Sequence, residues 1–367
     1  TLAGRRAVQI EFKEQIDNGD VAVFYNPLEF DFLFRKFIKK HAPKFCVILE
    51  CDLWPVMISS IKRAGLPLIF AQAQYPERGF NRDMNFPFVK GGLIKKFDMI
   101  LAKSAKHGKR FEYFNGKKIS VMGDTRFEQH IPDYQIKKSN AFKKKYLKDC
   151  FTVCFASIGK KENFIIVEVI KQVLSKLPKN NKLKFFFIFV PRHPSDFGIC
   201  DNLFRFTSAK LGKRSILFNS KLNLKPLLFS ENQIKKLDGL WGDSLGEMNF
   251  YLGLSDLVFM GDSFNEEGSH NIIEPFALEK PVIVGPSIWG IEYPAKEALD
   301  AGILTQIFNK GDLVDELVKS FNNFSKGKNQ TVLKKKITSF YQSHSGASEI
   351  FLDSLFNEKL ISKNKKK

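Results

Sequence analysis

The sequence predicts an α/β protein of two Rossmann-like domains, each a doubly wound parallel sheet, facing one another across a central cleft. Three observations predict it. Short apolar runs of strand length alternate with helical patterns over almost the whole chain. A length of 367 residues exceeds what one ordinary hydrophobic core organises. The periodicity fades between Ile131 and Asp149, where Lys137, Lys138, Lys143, Lys144 and Lys145 form a basic run, and then restarts.

Taken in order, Lys44 to Glu50 reads as a buried strand and Leu66 to Ala73 as the next. Between them Pro55 to Gly65 opens on proline and closes on glycine, as a helix does. Strand Phe97 to Ser104, helix Ala105 to Gly116 and strand Lys118 to Gly123 repeat the unit. Residues 1–130 are therefore expected to form one domain and 131–149 the connection. The second domain, 150–332, begins with strand Phe151 to Ile158, the amphipathic helix Lys160 to Leu177 and strand Lys184 to Val190. Strand Ser215 to Asn219, helix Leu245 to Leu254, strand Leu257 to Gly261, helix Asn271 to Glu279, strand Pro281 to Gly285 and helix Pro294 to Ala301 are expected to follow. Residues 333–360 carry an apolar helical stripe, and 361–367 are a basic tail.

Composition narrows the class. A content of 44% hydrophobic and 26% charged residues is that of a soluble globular protein, and no apolar run reaches the roughly 18 to 20 residues that span a bilayer. The cysteines at 46, 51, 150, 154 and 200 make no CxxC pair and read as free thiols of a reducing compartment. A formal charge of +19 points to anionic partners, although enrichment in Lys, Phe and Asn would follow from biased base composition alone. No HExxH, EF-hand or zinc-like spacing occurs, so no metal site is expected.

Four segments fall at turns from strand to helix, where sheets of this kind bind ligands. Glu50, Cys51, Asp52, Leu53, Trp54 and Pro55 set two carboxylates and an indole at a strand end; Asp52 can instead cap the following helix, with Trp54 in the core. Pro191, Arg192, His193 and Pro194 hold a guanidinium and an imidazole on a stiff turn suited to phosphate or carboxylate. Gly242 to Met248 opens a helix for which Ser244 and Glu247 read as a capping box, leaving Gly246 for close approach of a ligand. Gly261, Asp262, Ser263 and Phe264, then Gly268, Ser269, His270, Asn271 and Glu274, join a glycine-containing loop to a helix start. Its amides are expected to face the cleft, with Glu274 placed to accept ribose hydroxyls. The scattered His41, His107, His130 and His344 receive no role.

In this order the segments resemble the 3-deoxy-D-manno-octulosonic acid (Kdo) transferases of lipopolysaccharide synthesis, which have the two-Rossmann-domain (GT-B) fold. The family's Glu-Thr-Glu-Leu-Trp-Pro is matched by Glu50 to Pro55, its Pro-Arg-His-Pro by Pro191 to Pro194, its Gly-Glu-Leu by Gly246 to Met248, and its Gly-Gly-His-Asn-Pro-Leu-Glu-Pro by Gly268 to Pro275. Tyr25 to Leu28 and Gly123 to Phe127 extend the resemblance. It implies transfer of Kdo from CMP-Kdo to a lipid A precursor (lipid IVA), inverting and independent of metal, with no cofactor besides the donor and no nucleic-acid partner. It further implies that Arg192, His193, Gly246, Met248, Ser269, His270, Asn271 and Glu274 bind the donor, and that Glu50 and Asp52 are catalytic.

The family's proposed base lies in a Ser-x-Gly-Glu segment upstream of Thr1, and members usually begin with a membrane-anchoring helix. The chain is therefore expected to represent the family from the second half of the N-terminal domain onward and to lack the family's general base, which leaves Glu50 as the catalytic candidate. Departures are Asp52 for Glu, Ser269 for Gly, Asp262 for Gly, and Ile158 with Gly159 for Thr and His. A peripheral place on the cytoplasmic face of the inner membrane is expected. Arg78, Phe80, Arg82, Phe86, Phe88, Lys90, Lys95 and Lys96 could form an interfacial face, or equally core phenylalanines among exposed cations. A GT-B enzyme using a UDP-sugar, or a non-catalytic module binding anionic lipid or nucleic acid, are the alternatives.

Overall fold

The computed structural model describes residues 2–85, 92–178, 182–205, 207, 209–217, 231–266, 268–327 and 330–362. Among them stand two all-parallel sheets. The first has the order β1 (Cys46–Leu49), β2 (Leu68–Ala73), β3 (Met99–Ala102), β4 (Ile119–Val121). The second comprises β5 (Cys150–Ile158), β6 (Lys184–Pro191), β7 (Leu211–Lys213), β8 (Gly239–Trp241), β9 (Leu257–Met260), β10 (Val282–Val284) and β11 (Leu304–Gln306), in the order β11-β10-β9-β5-β6-β8-β7. Helices cover both faces, so the central strands read as unbroken apolar runs: β5 and β6 are buried almost throughout. Phenylalanine fills the layers; Phe189 stacks on Trp241 at 4.9 Å and Phe187 on Phe204 at 5.7 Å.

The direction of winding reverses between β5 and β9, which pair side by side. The turns leaving these two strands therefore part from each other and open a crevice at their carboxyl ends. Four non-glycine residues at strand ends have left-handed backbone: Glu50, Gln72, Ser157 and Asp262, with φ of 61°, 48°, 56° and 57°. Such conformations cost of order 1 kcal/mol or more each and gather where a site needs a side chain re-aimed.

Two expectations are corrected. The stretch 131–149 is mostly helix, Asp133–Tyr146, packed into the second domain. Its buried positions are Gln135, Ser139, Phe142 and Tyr146, spaced as one helical face but polar in the first half, which conceals the apolar period. Ser215 to Leu217 belong to the short helix Arg214–Leu217 rather than to a strand; the Asp243 carboxylate takes the Ser215 amide at 2.8 Å and ends β7 just before it. Residues 218 and 219 lie outside the described residues, as does the basic tail from 363.

The end of the chain ties the domains together. Helix Thr331–Ser343 places Ile337 and Phe340 in the second domain's core, whereas helix Ala347–Asn357 returns Ala347 and Leu355 to the first sheet, against Ile69, Met99 and Met122. At the crossing His344 stacks on Phe127 at 5.2 Å, and Glu128 accepts the amides of Gly346 and Ser348. Arg110, from helix Ala105–Tyr113, forms a two-pronged ion pair with Glu292 of the second domain at 2.8 and 3.0 Å, and Glu292 also accepts the Glu77 amide. No helix among the described residues is long and apolar enough to cross a membrane.

Candidate functional site

A cavity of about 380 Å3 opens at the carboxyl ends of β5, β6 and β9. Its wall includes Arg192, Gly246, Met248, His270, Asn271 and Glu274, six of the eight residues expected to bind a donor. The other two do not line it: His193 points to solvent, and buried Ser269 spends its amide on the Ser287 carbonyl. Arg192 is exposed at the rim, its own amide held by the Ile158 carbonyl at 2.9 Å.

The helix expected from Asn271 starts at Ile273 and is only five residues long. Asn271 closes the turn just before it: its Oδ1 accepts the Ile273 amide at 2.9 Å while its Nδ2 donates to Glu274 Oε1 at 3.3 Å. The amides of Ser269, His270 and Ile273 are thus consumed within the protein, so fewer amides of this turn are left for a ligand than the sequence suggests. Side chains add positive charge. Burial raises the Glu274 carboxyl above the usual range, opposed by Asn271 and by the guanidinium groups of Arg126 and Arg192.

His270 is set by a chain of contacts. Its Nε2 meets Asp262 Oδ2 at 2.5 Å, and Asp262 Oδ1 accepts from Asn265. The backbone of that loop is clamped by fully buried Glu162, whose two oxygens accept the amides of Asp262 at 2.5 Å and Phe264 at 2.6 Å. Burial pushes Glu162 up to about 7 against the pull of those amides. Burial, then the Arg192 charge, lowers the His270 imidazole, while Asp262 opposes both. At the opposite wall, Gln135 donates to the Gly246 carbonyl at 2.9 Å and accepts the Phe250 amide. The expected capping box does not form there, because the Glu247 carboxylate is taken by buried Arg214 and Ser244 bonds to Glu247 and Tyr251 side chains. Sequence reasoning left Glu162, Arg214 and Gln135 unmarked; each stands among other polar residues, where nothing in the local pattern sets it apart.

Across the cleft, the first domain presents a charged cluster. Lys103, fully buried, bridges Glu50 Oε1 at 2.9 Å and fully buried Asp124 at 3.0 Å. Asp124 also binds Arg126 through Nε and Nη2. Against the lowering effect of its burial, the charges of Asp124, Glu50 and Glu274 raise the Arg126 guanidinium. Glu50 and the stretch Gly123 to Phe127 carried the sequence signal for this cluster; Lys103 carried none. Asp52 lies elsewhere: it is exposed and lines a separate apolar hollow with Tyr25 and Trp54. It does not cap the following helix either, since Glu29 accepts the amides of Val56 and Met57, and Trp54 is half exposed rather than core. Of the proposed interfacial face, Phe80 packs inward on Tyr75 and Phe114, and Lys96 is bonded to Ser59. Phe86, Phe88 and Lys90 lie outside the described residues.

Residues 1–129 match the family model of 3-deoxy-D-manno-octulosonic-acid transferase (kdotransferase). The 3-deoxy-D-manno-octulosonic acid transferase of Haemophilus influenzae is 23% identical over 325 residues, covering 88% of this chain and 71% of that protein. Those of Bordetella pertussis and Rickettsia felis are 24% and 26% identical, over 82% and 77% of this chain and 67% and 56% of theirs. In fold the chain is similar to Anabaena Alr3699/HepE in complex with UDP-glucose, with a TM-score of 0.54 and 14% identity over 96% of this chain and 89% of that one. It is also similar to the UDP-GlcNAc 2-epimerase of Neisseria meningitidis, with a TM-score of 0.56 and 11% identity over 89% and 80%. The two-domain GT-B architecture is thereby matched over most of the chain. Residues 1–129 thus resemble the family model of 3-deoxy-D-manno-octulosonic-acid transferase, and the chain is similar over most of its length to transferases of that name.

Proposed function

We propose that this chain moves Kdo from CMP-Kdo to a lipid A precursor, lipid IVA, with inversion and without a metal, at the cytoplasmic face of the inner membrane. The observation that carries the reading is the convergence of Arg192, Asn271 and Glu274 on one cavity at the reversal of winding, with Glu50 and Arg126 joined through Lys103 and Asp124 in one ion-paired cluster of the other domain. Arg192 at the rim suits the phosphate of the nucleotide, and Glu274, held by Asn271, suits the two hydroxyls of its ribose. In the transfer, an acceptor hydroxyl oxygen bonds to the anomeric carbon as the bond from that carbon to the CMP phosphate breaks. The electron pair leaves on the phosphate, where the guanidinium groups of Arg192 and Arg126 stabilise the growing charge as fixed donors. The hydroxyl proton passes to a carboxylate, for which Glu50, steadied by Lys103, is the residue of this chain that faces the cleft.

Equilibrium binding of CMP and UDP is the test. CMP should bind the better, and Arg192→Ala or Glu274→Ala should each weaken it by roughly 1 to 3 kcal/mol, the usual loss of a charge-assisted contact. Preference for UDP, or CMP binding indifferent to both substitutions in folded protein, would remove the reading.

A further inference from the structure

Trp289 is a large apolar residue that the core does not hold. It is 39% exposed and stands between two cavities, of about 620 and 730 Å3, at the seam between the domains, lining both. What the ring touches is the loop that carries Asp262, His270 and Asn271. Its Nε1 donates to the Glu266 carbonyl at 2.7 Å. A Cβ at Gly268, where φ is +87°, would lie 2.9 Å from that nitrogen and 3.1 Å from Cε2, so this backbone rests directly on the edge of the indole. Two residues before Trp289, Ser287 donates its amide to the Ser263 carbonyl and accepts the Ser269 amide, both at 2.9 Å. Arg78, on helix Glu77–Met84 of the first domain, lies over the ring at 5.6 Å. An indole this exposed gains little from burial, so its place is fixed by the N–H bond and these contacts.

The loop thus has an anchor at each end. Buried Glu162 takes the amides of Asp262 and Phe264 just after β9, and Ser287 and Trp289 take Glu266, Gly268 and Ser269 where the chain returns to the donor cavity. Only His270 separates this second anchor from Asn271, and the His270 amide reaches the Gly261 carbonyl at 3.3 Å, a long bond for a backbone pair. Trp289 itself is not among the residues that line the donor cavity, whereas His270 and Asn271 are. We infer that Trp289 is a positioning residue for the donor: through Glu266 and Gly268 it fixes the return of the loop, and so the places of His270 and Asn271, from outside the cavity. A loop ordered beforehand spares the ligand the cost of ordering it on binding. The inference rests on the proposed donor site and names a residue outside it on which its geometry depends.

Amide hydrogen exchange and CMP binding test it together, in wild type and in Trp289→Phe, which keeps a ring but has no N–H to donate. The Ser269 and His270 amides should exchange roughly tenfold faster in the variant, as loss of one hydrogen bond implies, while the amides of β5 and β6 exchange as in wild type. CMP should bind roughly fivefold more weakly, and saturating CMP should return the loop amides toward the wild-type rate. Unchanged exchange at Ser269 and His270 overturns the inference. So does a rise shared equally by β5 and β6, which marks a residue of general stability rather than of position. A loosened loop with CMP affinity intact overturns it as well, because the donor would then be indifferent to where the loop sits. Wild type that fails to bind CMP defeats the donor reading instead, and exchange alone then decides whether Trp289 holds the loop. Should Trp289→Phe not fold, Trp289→Tyr takes its place with the same expectations and the same refutations.

Discussion

Replacing Glu162 by glutamine probes the clamp beneath the donor cavity. The carboxylate is fully buried and accepts two backbone amides, from Asp262 at 2.5 Å and Phe264 at 2.6 Å. Glutamine offers one acceptor oxygen and turns an NH2 toward the other amide, so one buried N–H loses its partner at a cost of about 1 to 3 kcal/mol. A second effect depends on pH. Glu162 titrates at about 7 in the folded chain against an ordinary 4.5, because burial disfavours its charge. Between those values the folded protein holds a proton that the unfolded chain has released, so stability contributed by this group is full below pH 4.5 and falls as pH rises to 7. Two and a half units amount to about 3 kcal/mol. Glutamine binds no proton and lacks this slope. The substitution should therefore cost most near pH 5 and progressively less toward pH 8. Denaturant melts of both proteins across that range measure it, together with CMP affinity, which should fall as the Asp262 loop and His270 lose their anchor. A cost that grows with pH would show that the ionised carboxylate is the form the loop prefers, and would refute the argument.

Arg110→Ala should destabilise the protein by about 3 kcal/mol, near the lower end for breaking a buried pair, since Lys296 and the Glu77 amide still hold Glu292. Calorimetry should then resolve separate transitions for the two domains; a single unshifted transition would count against Arg110 as the link. Gly261→Ala places a Cβ 2.4 Å from the Ser157 carbonyl oxygen and 2.8 Å from Ile158 Cα, where only backbone can yield. A loss of about 1 to 3 kcal/mol and weaker CMP binding are expected, and an unchanged melt would mean that β5 and β9 part more easily than their spacing suggests.

The alternation of apolar strands with helices was legible because central parallel strands are buried on both faces, as β5 and β6 show. Glu50, Arg192 and Glu274 were legible for a different reason: each is a charged residue at a strand end or helix start, where sheets of this kind bind ligands. The Asp133–Tyr146 helix was illegible because Gln135 and Ser139 occupy positions on its buried face. Asp52 misled because the cap it could have supplied comes from Glu29, 27 residues from Val56.

By itself the sequence determined the two-sheet architecture and the segments that end at the cleft, since hydrophobic period and turn chemistry act over a few residues. Tertiary structure alone decided which of those side chains meet. That the Ser269 amide is spent on Ser287 and that Lys103 joins Glu50 to Asp124 depend on contacts across distant segments. Such contacts leave no local period, because the strength of a buried charge pair is set by distance and desolvation in space rather than by spacing along the chain.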